Sequence, residues 1–290
     1  MGIVFRQGTV LYIATDTHKY KFLVGEVTAS QTFIGSLQKI RTIQNKELID
    51  RSFVTEKGVA NLSFSTHLGR GAPERELCEW FDMPLSSGTT HNIVTSASTP
   101  SIRDVYIKSN NTVYHLPDAV GINLSLKIGK DSILSASVTA TATDMLDITG
   151  DTPAMSIFNG LTEESQVTSE WINSNVDIAG YEHILGVTLE LTRTIKWLKQ
   201  KSIFDIGSIY KVATPVIDLM AISGSITKVK LNNNNNVYTP SSAVDIQYGA
   251  NFQVYLESCT VTERWDLGNF HREVSDYVLL PQTTTSFIKF

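Results

Sequence analysis

Asn61-Leu-Ser-Phe-Ser-Thr-His-Leu-Gly-Arg-Gly-Ala-Pro-Glu-Arg-Glu-Leu-Cys-Glu-Trp-Phe81 contains, in order, a strand pattern, a glycine break and a helix pattern. Apolar and polar side chains alternate before the glycines, which places the apolar ones on one face of a strand. Gly69 and Gly71 end that strand, and Pro73 suits the first turn of a helix because its missing N–H is not needed there. The apolar side chains that follow recur at helical spacing and predict a helix docked on a sheet. They are Leu77, Trp80 and Phe81.

The composition predicts a mostly β protein around this unit. Charged residues make up 18% of the 290 residues, and Ser, Thr and Asn carry most of the remaining polarity. Residues 122–128 alternate apolar and polar side chains, residues 129–131 form a turn signal, and residues 134–143 continue in small β-formers. This pattern is typical of an antiparallel hairpin with one wet face. We therefore expect an antiparallel β-sandwich or partial barrel with one short docked helix.

Short matches between the two halves predict a duplication. The first copy of the repeated pattern is Val113-Tyr114 before Ala119-Val120, and the second is Val237-Tyr238 before Ala243-Val244 at the same spacing. Gly25-Glu-Val27 and Gly186-Val-Thr188 form a second match upstream. A segment rich in Gly and Pro at 147–160 suits a boundary. The expected domains are 1–148, with the helix near 73–82, and 149–290, without that insertion.

The sequence contains no pattern that indicates catalysis or a cofactor. There is no phosphate-binding glycine loop, no metal-ligand spacing of His or Cys, and no nucleophile motif. The net charge of −5 argues against a grip on nucleic acid. The densest basic group, Arg193, Lys196, Lys199 and Lys201, is interpreted as a solvated loop face. We expect no enzyme, no catalytic, metal or cofactor site, no signal peptide and no membrane anchor.

The strand Phe64-Ser-Thr-His-Leu68 and the helix Ala72-Pro-Glu-Arg-Glu-Leu-Cys-Glu-Trp80 resemble tail tube proteins of long-tailed bacteriophages. His67 stands where the family pattern usually has Tyr. The resemblance covers residues 1 to about 145, and over 150–290 it rests on the repeat. It implies a structural virion protein that polymerises as stacked rings to form the tail tube. Its helix packs outside the sheets, and its inner strands join into one barrel around a channel.

The resemblance also implies partners and a place in the virion. The channel would carry the tape-measure protein and then viral DNA, without specific DNA binding. Two tube domains in one chain favour a ring of three chains with pseudo-sixfold symmetry, and a ring of six is the alternative. Other tail proteins, and a sheath in a contractile tail, are further partners. The protein would be assembled in the host bacterial cytoplasm and reside in the virion tail. Channel-facing candidates are Ser125, Ser135 and Ser137.

Several alternatives remain open from the sequence. The nearest is a tube-end or baseplate-proximal minor tail protein with the same fold and a lower copy number. The tube of a bacterial secretion or contractile injection machine is another, although such tubes are usually shorter and single-domain. A carbohydrate-binding β-sandwich would use exposed aromatic side chains, with Tyr106, Tyr114 and Tyr238 as candidates. An unrecognised hydrolase is the last alternative, since triads can assemble from distant positions.

Overall fold

A computed structural model describes most of the 290-residue chain. The described residues are 2–5, 8–40, 49–94, 99–129, 132–172, 176–177, 184–198, 214–229, 242–248, 252–266, 272–280 and 286–290. The Asn run at 232–236 and Tyr238 lie outside them.

Residues up to 148 contain ten strands and one helix. They are β1 (Gly2–Phe5), β2 (Thr9–Ala14), β3 (His18–Ile40), β4 (Ile49–His67), α1 (Ala72–Trp80), β5 (Leu85–Ser87), β6 (Thr90–Asn92), β7 (Arg103–Ser109), β8 (Thr112–Gly129), β9 (Ser135–Ala142) and β10 (Leu146–Asp147). Later elements are α2 (Thr152–Gly160), β11 (Thr162–Ser165), a 3-10 turn (Thr168–Glu170), β12 (Val176–Asp177), β13 (Ile184–Leu198), β14 (Thr214–Val229), β15 (Ser242–Tyr248), β16 (Phe252–Asp266), β17 (Arg272–Leu279) and β18 (Phe287–Lys289).

The first half closes into a ring of strand pairs. β2 pairs with β3, β3 with β4, β4 with β9, β9 with β8, β8 with β7, and β7 again with β2, all antiparallel. Two long strands, β3 and β8, make this possible because each changes partner along its length. β3 pairs first with β2 and then with β4, and β8 pairs first with β7 and then with β9. The mostly antiparallel fold, a sandwich closed into a partial barrel, confirms the fold class predicted from composition and alternation.

The second half continues the same sheet. β13 pairs with the outer edge of β8 over seven residue pairs, and β14, β17 and β16 follow in order. The result is one eight-stranded sheet, here called the long sheet, in the order β3, β4, β9, β8, β13, β14, β17, β16. Its inner face is apolar across both halves. One buried row across it consists of Val27, Phe64, Val138, Leu124, Leu191, Ile222, Leu279 and Cys259.

The strand pairings repeat between the two halves of the long sheet. The order β3, β4, β9, β8 is followed by β13, β14, β17, β16, and the hairpin β7–β8 corresponds to β15–β16. The hydroxyl of Thr28 bonds that of Ser63 across β3 and β4, and Thr188 bonds Ser225 in the same way across β13 and β14. These matched pairs define which residues of the two halves correspond.

This correspondence differs from the register expected from the sequence matches. The sequence aligned Ala119-Val120 of β8 with Ala243-Val244 of β15, whereas the pairings align β9 with β17 and β8 with β16. Apolar and polar residues alternate in every strand. A short sequence match can therefore align a strand with the neighbour of its true equivalent in the other half. The Val237-Tyr238 part of the match lies outside the described residues. The domain limits 1–148 and 149–290 stay a prediction.

A second helix corrects the expectation of a single helix. α2 occupies most of the segment that the sequence assigned to an irregular boundary. Asp151 caps it, since its carboxylate accepts the N–H of Ala154 at 3.2 Å, and Pro153 lies in its first turn. Phe158 is the buried anchor and packs edge-on against Tyr12 with ring centroids 5.3 Å apart. Both cap and proline were readable start signals, but one buried side chain gives no apolar periodicity.

Matched positions in the two halves exchange large and small side chains. Leu62 faces Ala140 across β4 and β9, whereas the equivalent pair across β14 and β17 is Gly224 and Tyr277. A Cβ on Gly224 would lie 2.1 Å from the carbonyl oxygen of Thr188 and 2.2 Å from the Tyr277 hydroxyl. That hydroxyl donates to the same carbonyl at 2.7 Å. The ring of Tyr277 therefore occupies the space that glycine leaves.

We predict that Gly224→Ala lowers the free energy of unfolding by about 1–3 kcal/mol, because the added methyl group overpacks a filled site against backbone. Gly150→Ala is the matched control, since nothing lies within 4 Å of the new Cβ. Its effect should stay within about 0.5 kcal/mol. Urea unfolding of both variants measures the difference, and equal losses would contradict the assigned packing.

Candidate functional site

The outer face of the long sheet is built from small polar side chains. One row across seven strands consists of Ser65, Ser137, Ser125, Glu190, Ser223, Val278 and Thr260. The next row consists of His67, Ser135, Lys127, Thr188, Ser225, Asp276 and Thr262. None of these fourteen residues is Phe, Tyr or Trp, although the ring of Trp171 packs against His67, with ring centroids 4.9 Å apart.

The three serines expected from the sequence lie together on this face. Ser125 is directly opposite Ser137 across β8 and β9, and Ser135 is opposite Lys127. Ser137 is exposed, whereas Ser125 and Ser135 are half-buried. The structure thus brings them side by side near the middle of the long sheet.

Charge on the two rows is sparse. Lys127, Glu190 and Asp276 are the charged members, and Arg264 neutralises Asp276 through an exposed ion pair of 2.8 Å. Exposed pairs of this kind add little to stability, yet they leave the face close to neutral. Such a surface has few groups that could hold a phosphate chain.

Helix α1 packs on the opposite, apolar side of the sheet. Leu77, Trp80 and Phe81 are all buried. The Trp80 indole N–H donates to the carbonyl oxygen of Ala119 at 2.9 Å. The Phe81 ring lies against Gly121 of β8, where a Cβ would meet the ring at 2.6 Å.

Arg193 of β13 ties this helix to the second half of the chain. Its guanidinium is buried, forms an ion pair with Asp82, donates to the Trp80 carbonyl oxygen at 2.9 Å and lies 4.7 Å from the centre of the Phe81 ring. Burial lowers the pKa of Arg193 to about 10, against the opposing effect of Asp82, so the group stays charged at neutral pH. We call this set of contacts the arginine clamp.

Asp82 is shaped for the clamp by its backbone. It follows the end of α1 with a positive φ of 55°, a conformation that Asp tolerates better than most residues. Its other carboxylate oxygen accepts the N–H of Ser101 at 2.7 Å. The helix terminus therefore presents a carboxylate, a carbonyl oxygen and an aromatic face to one guanidinium.

The start of α1 is held by a second buried network. Glu74 is buried and accepts the N–H of Gly69 and the amide of Gln166, both at 2.9 Å. The Gln166 side chain also bonds the His67 carbonyl and the Leu23 N–H, so it spans two strands and the helix. Both ends of α1 are therefore fastened by side chains distant in sequence.

The structure corrects the reading of the basic group. Arg193 is buried within β13 and is not part of a solvated loop. Lys196 of the same group is exposed and pairs with Asp218 at 2.8 Å, while Lys199 and Lys201 lie outside the described residues. The sequence around Arg193 gives no sign of burial, because the helix end that the side chain contacts is 111 residues away.

The described residues offer little to alternative chemistry. They contain no group of three His, Cys, Asp or Glu placed to hold a metal ion. Cys78 and Cys259 are free and buried, and burial raises the pKa of both thiols, to about 11 for Cys259. Tyr106, a candidate sugar platform, is buried against His115 and Phe158. Among the described helices none is long and apolar enough to cross a membrane.

A continuous antiparallel sheet with a largely polar outer face and a helix clamped against its apolar face is typical of a structural component. The sequence profile of the bacteriophage baseplate tube protein family matches residues 6–290, and the chain belongs to that family. A search of curated proteins finds no match. The protein is therefore a structural protein of the phage tail and baseplate, and it is located in the virion tail.

We predict that Arg193→Met destabilises the protein by about 3–5 kcal/mol, because it leaves the Asp82 carboxylate without its cation in a buried site. Arg193→Met with Asp82→Asn should recover part of that loss. Lys196→Met, which breaks an exposed pair on the same strand, should cost less than about 1 kcal/mol. Denaturant unfolding tests the series, and equal effects of the two single variants would show that the clamp carries no special energy.

Proposed function

We propose that this chain forms rings of the phage tube, three chains to a ring, with the polar face of the long sheet lining the channel. The observation that carries the proposal is the β8–β13 junction. There, two four-stranded units of the same pairing order join edge to edge into one sheet within a single chain. A contact that joins units inside the chain is suited to join the same units between chains.

Strand arithmetic favours three chains. Each chain contributes eight strands, so three would give about 24 strands; at about 4.8 Å spacing and a tilt near 40°, the backbone diameter is about 48 Å. Side chains narrow the channel by about 10 Å, which leaves room for a DNA duplex. Six chains, with about 48 strands, would leave roughly 86 Å by the same estimate, far wider than a duplex needs.

The chemistry of the polar face supports the channel assignment. Serine and threonine rows with few charges neither attract phosphates nor present aromatic rings on which bases could stack. The tape-measure protein and DNA could then pass without being retained. The helix α1 and its clamp would lie buried on the side of the long sheet away from the channel, and the outside of the ring would meet other tail proteins and, in a contractile tail, the sheath.

The family description favours a protein confined to the baseplate-proximal part of the tube over one that forms the main tube along its whole length. The two positions share the ring and differ in copy number. Quantitative mass spectrometry of purified virions would separate them: a few rings' worth of chains supports the baseplate position, and hundreds of copies supports the main tube.

We predict that the purified chain assembles into rings with six similar lobes and a mass of three chains. Negative-stain microscopy and native mass spectrometry give the lobe count and the mass. A ring of six chains would overturn the stoichiometry, and a chain that stays monomeric at all salt and protein concentrations would overturn the ring assignment.

Lysines on the polar face should slow DNA passage. The triple change Ser125→Lys, Ser135→Lys and Ser137→Lys places cations where phosphates pass, so we expect slower DNA ejection from virions that assemble normally. Glutamates at the same three positions are the matched control, because they change size equally and repel phosphate. Ejection kinetics that are unchanged by lysine would show that these serines lie away from the channel.

A further inference from the structure

The edges of β3 and β13 are matched in the repeat but are occupied differently. β13 has β8 along its outer edge, with residues 186–192 facing residues 123–129. The equivalent stretch of β3 begins near residue 26, because Thr28 corresponds to Thr188. Along its outer edge runs the N-terminal strand β1, which pairs with residues 27–30.

The other end of the long sheet is an edge of the complementary kind. β15 and β18 both pair with residues 253–255 of β16, so they lie on opposite edges of that strand. β17 lies on the same edge of β16 as β18, since the chain just after β17 stays beside β16: the Leu280 N–H donates to the Ser258 carbonyl oxygen. On the β15 edge, residues 260–266 have no strand partner within the part of the chain that the structure describes.

The repeat identifies residues 262–266 of this stretch with residues 123–127 of β8, which pair with β13. Ser63 faces Thr139, which faces Asn123; their equivalents Ser225, Asp276 and Thr262 face one another in the same order. Thr262 therefore stands where Asn123 stands in the first half, and Arg264 where Ser125 stands. The same step places Ser30 in the position of Glu190.

We infer that residues 260–266 of one chain add, antiparallel, to the outer edge of β3 in the next chain, and that β1 is a removable cap on that edge. The inference rests on the proposed ring. The register copied from the β8–β13 junction sets Arg264 opposite Ser30, Trp265 opposite Ala29 and Asp266 opposite Thr28. β1 holds the edge through four residue pairs, whereas the internal junction has seven.

A cap of this kind has a physical purpose. An unpaired strand edge offers a row of N–H and C=O groups to any other chain, which invites aggregation before assembly. β1 satisfies those groups within the chain. A longer partner strand can replace it because it forms more pairs and leaves no unpaired backbone behind on its own side.

A reversible lock tests the cap. Gly2 and Ser30 are paired positions, so Gly2→Cys with Ser30→Cys allows a disulfide that holds β1 in place. We expect the oxidised variant to form no rings at concentrations where its reduced form and the single variant Ser30→Cys do. Rings formed equally by the oxidised variant would overturn the cap. Absence of rings from the wild-type chain would instead overturn the proposed function and the cap with it.

Cross-linking between chains tests the register. A chain with Ser30→Cys mixed with a chain carrying Arg264→Cys should form a disulfide-linked pair on mild oxidation, several-fold faster when residues 2–7 are deleted. Asn61→Cys is the matched control, because Asn61 faces Ser30 one strand further into the sheet and is also exposed. Rings that form without the Ser30–Arg264 link, or with equal linking at Asn61, would overturn this edge contact while leaving the ring assignment standing.

Discussion

The arginine clamp is the interaction on which the arrangement of the two halves depends. A buried guanidinium on β13 meets the carboxylate of Asp82 and the carbonyl oxygen and ring at the end of α1. A buried cation is costly without a partner, so Arg193 favours the geometry in which helix and strand meet over arrangements that leave its charge unpaired. The clamp supports the β8–β13 junction from the inner, apolar side of the long sheet, while backbone hydrogen bonds join the two strands within the sheet.

The long sheet joins the two halves through a shared core as well as through the β8–β13 junction. Because its inner face is one apolar surface, the two halves share a core and cannot slide by one residue without exposing every buried side chain. The halves are nevertheless not copies in detail. Leu62 against Ala140 in the first becomes Gly224 against Tyr277 in the second, a volume-conserving exchange that preserves the pairing while the sequence diverges. An outer face with mostly small side chains is suited to line the proposed channel. Equivalent strand edges in the two halves are suited to join one chain to the next.

Much of the fold could be predicted from residue patterns, and the site could be predicted only in part. Alternation in residues 122–128 and 134–143 indicated the β8–β9 hairpin, which the pairings confirm. The cluster of Ser125, Ser135 and Ser137 followed from that alternation, and the structure places them on one face. The helix α2 was missed because it buries a single apolar anchor, Phe158. The register of the repeat was misaligned because short β patterns match equally well against a neighbouring strand.

By itself the sequence determined the strand pattern, the strand-to-helix unit at 61–81 and the polar character of one sheet face, because these are set by neighbouring residues and the periods of strand and helix. Tertiary structure alone decided the role of Arg193, the pairing of β1 along the edge of β3, and the edge at 260–266 that has no strand partner among the described residues. The side chain of Arg193 meets a helix end 111 residues away, and the two edges depend on which strands pair beside them. No local period encodes such contacts, since they exist only once the sheet is closed.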